Sequence, residues 1–292
     1  MSKARTLQDY ARRMMRVVQT LWQDPTRSYS LEELASVANF SPYHFHRIYR
    51  EMMGETVNAT QQRLRLQFAS RDLASAAQLP LLRVARRAGY QSSAAFVRAF
   101  AAAYGMTPGA YRRVRLATLQ SHIDQELDMY KVEYRTLTAP IHLAARAHAG
   151  AFIEIGEAFS LLELAMPALP AVPGARWFGL YHDDPDDVRQ GRIGPELRSE
   201  ACVEIAASGA LPAGLHRTQI AAGRYAVIEH HGPYVELDQA YHWLIGVWLP
   251  QSGELPEPVP GIELYLNDPC DTAPKDLRTE IWLALAARAD EA

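Results

Sequence analysis

The chain has 292 residues, 48% hydrophobic and 22% charged, with only two cysteines, a composition of globular proteins that excludes disordered, fibrous and disulfide-framework classes. The net charge of -3 hides a division: residues 1–117 carry 18 Lys+Arg against 7 Asp+Glu, and the rest carry 12 against 26. Opposite signs imply two domains with different partners, the basic one suited to a polyanion. No stretch resembles a signal peptide or reaches the roughly 20 apolar residues of a membrane helix, so a soluble cytoplasmic protein with no membrane partner is expected.

In chain order, Ser30 and Glu33 have the S-x-x-E spacing of a capping box and predict a helix start, followed by Leu31, Leu34, Ala35 and Ala38 at helical spacing. Asn39 interrupts the pattern and tolerates positive φ. Ser41-Pro42 then supplies an N-cap with proline at the first helical position. The result is a helix-turn-helix in which Ala35 gives the small crossing residue and Phe45, Ile48 and Tyr49 form the inward face. Tyr43, His46, Arg47 and Arg50 are left outward, where they suit base edges and phosphates.

About 50 residues later the pattern returns. Ala85, Ala88, Gly89 and Tyr90 match Ala35, Ala38, Asn39 and Phe40, and Phe96, Arg98, Phe100 and Gly105 match Phe45, Arg47, Tyr49 and Gly54. Between the copies, Val57, Leu64, Phe68 and Leu73 predict a long helix that holds them apart. The run G-Y-x(5)-F-x-R-x-F-x(4)-G-x-T-P-x-x-Y-R, from Gly89 to Arg112, resembles the signature of AraC/XylS-family transcription regulators, with the likeness covering about residues 8–113. That resemblance implies two helices entering successive major-groove segments of promoter DNA. By position, Tyr43, His46 and Arg47 would contact DNA from the first, and Ser93, Ala94, Val97 and Arg98 take the corresponding places in the second; Arg50 on the same outward face and Arg112 as a phosphate contact complete the candidate set. Ala94 and Val97 can touch a thymine methyl but cannot hydrogen-bond. The resemblance also implies activation, with RNA polymerase as a further partner.

Residues 117–129 read as a helical linker, dividing a DNA-binding domain at 1–116 from an effector domain at 130–292. Beyond the linker a second duplication appears. AHAGAFIEIGEAFSLL (147–162) aligns with EHHGPYVELDQAYHWL (229–244), GLYHDDP (179–185) with ELYLNDP (263–269), and ELRSEACVEIA (196–206) with DLRTEIWLALA (276–286). The fold class is therefore multi-domain: an all-α region with two helix-turn-helix units, then an α+β domain of two pseudo-symmetric strand-helix-strand repeats. A cleft is expected where the repeats meet.

On RTEIWLAL, alternation puts Ile281, Leu283 and Leu285 on one face and Glu280 with Trp282 on the other, and Glu200 takes the place of Glu280 in the first repeat. H-x-G-P-Y, A-Y-x-W-L, Y-L-N-D-P and T-E-I in the second repeat resemble the GyrI-like effector-binding domain. The resemblance implies a hydrophobic, often cationic small-molecule effector held by Glu280, Tyr265, Trp243 and Tyr181. Tyr241, Trp282 and Glu200 complete the candidate set; Trp243, Tyr241 and Trp248 stand at helical spacing that also suits a core. No catalytic nucleophile-base pair, metal-ligand spacing or cofactor motif is present in the sequence. The reading is a ligand-sensing transcription regulator and not an enzyme, with small-molecule hydrolysis or ligand-free protein interaction as the alternatives. The oligomeric state stays open.

Overall fold

The computed structural model describes residues 3–74, 79–120, 129–170, 172–183 and 196–287. It divides into two compact units, Met1–Ile123 with Pro269–Asp276, and Asp124–Asp268 with Leu277–Ala292.

The first unit is helical. A leading helix, α1 (Lys3–Gln23), precedes the pair α2 (Leu31–Val37) and α3 (Pro42–Met53). The long α4 (Val57–Ala74) precedes a second pair, α5 (Leu81–Arg87) and α6 (Ser93–Tyr104), and α7 (Pro108–Gln120) follows. Local chemistry sets these limits. The Ser30–Glu33 capping box forms reciprocally, Ser41 caps α3 ahead of Pro42, and Ser92 caps α6. Each such cap contributes about 1 kcal/mol. The two turns carry positive φ, 52° at Asn39 and 75° at Gly89, and both second helices stop at a left-handed glycine, Gly54 and Gly105. Phe45 and Tyr49 in one helix-turn-helix unit, Phe96 and Phe100 in the other, and Val57, Leu64, Phe68 and Leu73 of α4 are all buried. Residues 117–120 of the expected linker belong to α7, and residues 121–128 lie outside the described residues.

The second unit is an eight-stranded antiparallel sheet. Its strands are β1 (Glu133–Leu137), β2 (Ile141–Ala149), β3 (Trp177–Tyr181), β4 (Arg198–Glu204), β5 (His216–Ile220), β6 (Gly223–His231), β7 (Gly261–Tyr265) and β8 (Arg278–Leu285). The order β1-β6-β8-β7-β3-β4-β2-β5 is the same read from either end under exchange of the repeats, with β7 and β3 at the centre. The first strand of each repeat pairs in the other repeat's half: β1 with β6, and β5 with β2.

One face carries the helices. α8 (Gly156–Ala165) covers Ala144, Ala201 and Val203, and α9 (Leu237–Tyr241) covers Ile228 and Ile281. The second helix continues as a π-helical stretch, His242–Trp248, and ends in α10 (Leu249–Ser252). The opposite face gathers Leu143, Phe178, Leu180, Cys202, Tyr225, Val227, Leu264 and Trp282 into one core shared by both repeats.

Candidate functional site: a buried carboxylate on a pseudo-dyad and two helix-turn-helix units

The centre of the sheet is set by the register of β3 against β7, which pairs Gly179 with Glu263 directly. These two residues are also equivalent in the duplicated blocks, so the pseudo-two-fold axis passes between them. Alternation places Trp177, Gly179 and Tyr181 of β3 on the helix-bearing face with Gly261, Glu263 and Tyr265 of β7. Tyr181 and Tyr265 thus flank Glu263, and α9 contributes Tyr241 to the same seam.

Glu263 is 4% exposed. The Tyr265 hydroxyl donates to its Oε2 at 2.8 Å and shares a 2.8 Å hydrogen bond with the Tyr181 hydroxyl. The Tyr181 and Tyr241 hydroxyls also favour the carboxylate through their proximity, although the buried Tyr241 hydroxyl lies outside hydrogen-bond geometry, and among the described residues no cation acts on Glu263. Desolvation prevails over these three hydroxyls and pushes Glu263 up to about 7. The same burial, reinforced by the neighbouring carboxylate, holds the Tyr181, Tyr241 and Tyr265 hydroxyls well above the usual tyrosine range, so they remain neutral donors. Further rings complete the wall: Phe152 lies 4.8 Å from Tyr181, Phe159 5.2 Å and Tyr234 5.4 Å from Tyr265. Phe152 and Tyr234 are repeat equivalents, as are Phe159 and Tyr241. Gly179 makes the room, since a Cβ there would stand 2.8 Å from both the Tyr181 ring and the Tyr265 hydroxyl. A half-protonated carboxylate ringed by aromatic faces is chemically suited to an organic cation, which would supply the missing charge and stack on the rings.

Of the residues singled out in the sequence, Tyr181, Tyr241 and Tyr265 meet here, and the others do not. Glu280 pairs with Leu264, whose side chain faces the shared core, so it points to the opposite face of the sheet from Glu263. There it takes a bidentate ion pair from Arg135 at 2.6 and 3.1 Å and a 2.8 Å hydrogen bond from the Trp282 indole. Trp282 is 1% exposed and packs on Phe178 and Tyr225. Trp243 is equally buried among Ile228, Leu237, Leu244 and Ile281, and is a core residue. Glu200 also lies on the helix-free face, with the His216 and His182 Nε2 atoms at 3.1 and 3.5 Å. The final-strand acid thus faces away from the aromatic seam, and the acid that lies in the seam is Glu263. It sits two residues before Tyr265 on one strand face, a spacing visible in E-L-Y, and glycine stands at its place in the other repeat.

In the helical unit, Tyr43, His46, Arg47 and Arg50 form an exposed stripe along α3. Arg47 donates to the Tyr43 hydroxyl at 2.9 Å, so the two side chains hold each other outward. On α6, Ala94 and Arg98 are exposed while Ser93 and Val97 are half-buried. Arg112 is turned inward instead, donating to the Leu79 carbonyl ahead of α5.

Residues 132–286, more than half of the chain, match the family model of the GyrI-like small molecule binding domain. The chain belongs to the GyrI-like family. Residues 34–114 match a helix-turn-helix domain of the AraC type. The RCS-specific HTH-type transcriptional activator RclR of Escherichia coli (strain K12) is 38% identical over 104 residues, 35% of this chain and 36% of RclR. The chain thus spans about a third of that relative's length. The probable transcriptional regulator YgiV of the same organism is 31% identical over 125 residues, 40% of this chain and 72% of YgiV. The crystal structure of the EcmrR C-terminal domain is 20% identical with a TM-score of 0.45, covering 55% of this chain and 99% of that one.

Proposed function

We propose that this GyrI-like protein is a one-component transcription regulator. Residues 1–116 read double-stranded promoter DNA through α3 and α6, residues 117–129 link, and residues 130–292 bind a hydrophobic, cationic small molecule in the aromatic site around Glu263. DNA contacts come from Tyr43, His46, Arg47 and Arg50 on α3, and from Ser93, Ala94, Val97 and Arg98 on α6. Regulation follows if the effector binds one of two states of the protein more tightly than the other, which shifts their populations. Activation is the sign favoured by the name of RclR, and RNA polymerase is the partner an activator would recruit.

The observation that carries the effector reading is the buried Glu263 with three tyrosine hydroxyls and no cation among the described residues. A buried carboxylate without a counter-charge costs several kcal/mol, and a bound cation recovers that cost. Calorimetric titration with benzyltrimethylammonium and its neutral carbon isostere neopentylbenzene tests it. The cation should bind and the isostere should not. Glu263→Gln should weaken the cation roughly tenfold or more, while Glu280→Gln leaves it unchanged. Equal affinity in wild type and Glu263→Gln overturns the assignment.

A further inference from the structure

Each helix-turn-helix pair is preceded by a helix that presses one arginine against the pair's turn. In the first, Arg13 of α1 donates to the Asn39 carbonyl at 2.9 Å, with its guanidinium 4.8 Å from the Phe40 ring centre. In the second, Arg65 of α4 packs against Gly89, where a Cβ would come within 2.9 Å of Nη1 and 3.1 Å of Cζ. The two arginines thus hold like positions in the duplication, but Arg65 does more. Its Nη2 also donates to the Arg27 carbonyl at 2.9 Å and to the Ser28 hydroxyl at 2.8 Å, in the segment leading into α2. One guanidinium therefore touches the turn of the second reading unit and the entry of the first.

Gln61, one turn earlier on α4, fastens the same segment. Its Oε1 accepts from the Tyr29 amide at 2.9 Å and its Nε2 donates to the Tyr29 carbonyl at 3.2 Å. Tyr29 is anchored in turn by its hydroxyl on the Thr20 carbonyl of α1 at 3.0 Å. A groove of about 360 Å3, lined by Ser28, Asn58, Gln62, Arg65, Gly89 and Tyr90, runs along α4 at this junction. Both units contribute to its walls. The planar guanidinium fork holds several acceptors in fixed directions, which a lysine ammonium does not.

We infer that Arg65 is a positioning residue that fixes the separation of the two recognition helices, and so the spacing of DNA segments the chain accepts. This rests on the DNA-binding reading above. Two reading helices on one duplex must match its helical repeat, and one inserted base pair moves a segment by about 3.4 Å along the axis. A rigid cross-brace rejects that displacement, whereas a hinge at the ends of α4 accommodates it.

The test is selection of binding sites by the full chain from a randomised double-stranded DNA library, followed by competition with sites carrying one inserted base pair between the two read blocks. Wild type should enrich two blocks at a single separation. Arg65→Met keeps the aliphatic stem and removes the donors; it should enrich blocks at several separations, and the penalty for the insertion should shrink roughly tenfold. Ser28→Ala removes one acceptor alone and should shift the penalty in the same direction by about threefold, deciding the matter if Arg65→Met does not fold. An unchanged insertion penalty overturns the inference, as does a uniform loss of affinity with the single separation retained. Failure of wild type to enrich any site overturns the DNA-binding reading, and this inference with it.

Discussion

The two repeats of the GyrI-like domain share strand order, register and turns, yet three of their equivalent pairs stand in different surroundings. Gly179 stands opposite Glu263 on the axis, Cys202 opposite Trp282 in the shared core, and the histidine-flanked Glu200 opposite the arginine-paired Glu280. The backbone symmetry builds a seam lined twice over with aromatic rings. Its loss at one pair of side chains leaves a single buried acid there, since two carboxylates facing each other across one register pair would repel.

The largest effect should come from breaking the core asymmetry. Trp282→Ala empties the volume that Phe178 and Tyr225 pack against and should cost about 3–5 kcal/mol, read as a lower urea midpoint at constant slope. Cys202→Ala, at the equivalent place, should cost only about 1 kcal/mol.

Next comes the lone acid. The folded-state value of Glu263, about 7, exceeds its ordinary value of 4.5, so the folded protein holds this proton more tightly than the unfolded chain. Its contribution is complete below the ordinary value and is lost as pH rises through about 7. Glu263→Gln should therefore be more stable than wild type by about 2–3 kcal/mol at pH 8, and near-isoenergetic with it at pH 4 to 5. The same proton should compete with the effector. Cation affinity should fall towards about tenfold per pH unit below 7, and a flat affinity across that range would remove Glu263 from the site.

Gly179→Ala narrows the comparison to one methyl group. Its Cβ meets the Tyr181 ring and the Tyr265 hydroxyl, so about 1–3 kcal/mol of stability and most cation binding should be lost together. The smallest effects concern the outer acids. Glu280→Gln should cost about 1 kcal/mol through Arg135, and Glu200→Gln less, in chemical denaturation at neutral pH.

Much of this was legible in the sequence because it is local or periodic. The caps at Ser30 and Ser41, the positive-φ turns at Asn39 and its match Gly89, and both duplications follow from spacing alone. The candidate site was only half legible. Alternation along β8 correctly separated Glu280 and Trp282 from Ile281, but both faces of this sheet are apolar, and alternation does not say which face carries the helices. That choice depends on the register that sets Ile281, and not Glu280, beside Glu263. Trp243 was similarly ambiguous because an aromatic at helical spacing suits a core and a pocket wall alike; it turns into the core, while Tyr241, two residues earlier on the opposite side of the helix, reaches the seam.

The reciprocal pairing of β1 with β6 and of β5 with β2 gives the domain a property that neither repeat has alone. Each repeat surrenders its first strand and receives the other's, so a chain cut between Glu204 and His216 would leave two pieces, each with an unpaired sheet edge and a strand of the wrong half. Unfolding of one repeat must strip an edge from the other. The seam that holds Glu263 should thus melt as a single cooperative unit with the whole sheet, and a ligand held there should protect strands on both outer edges.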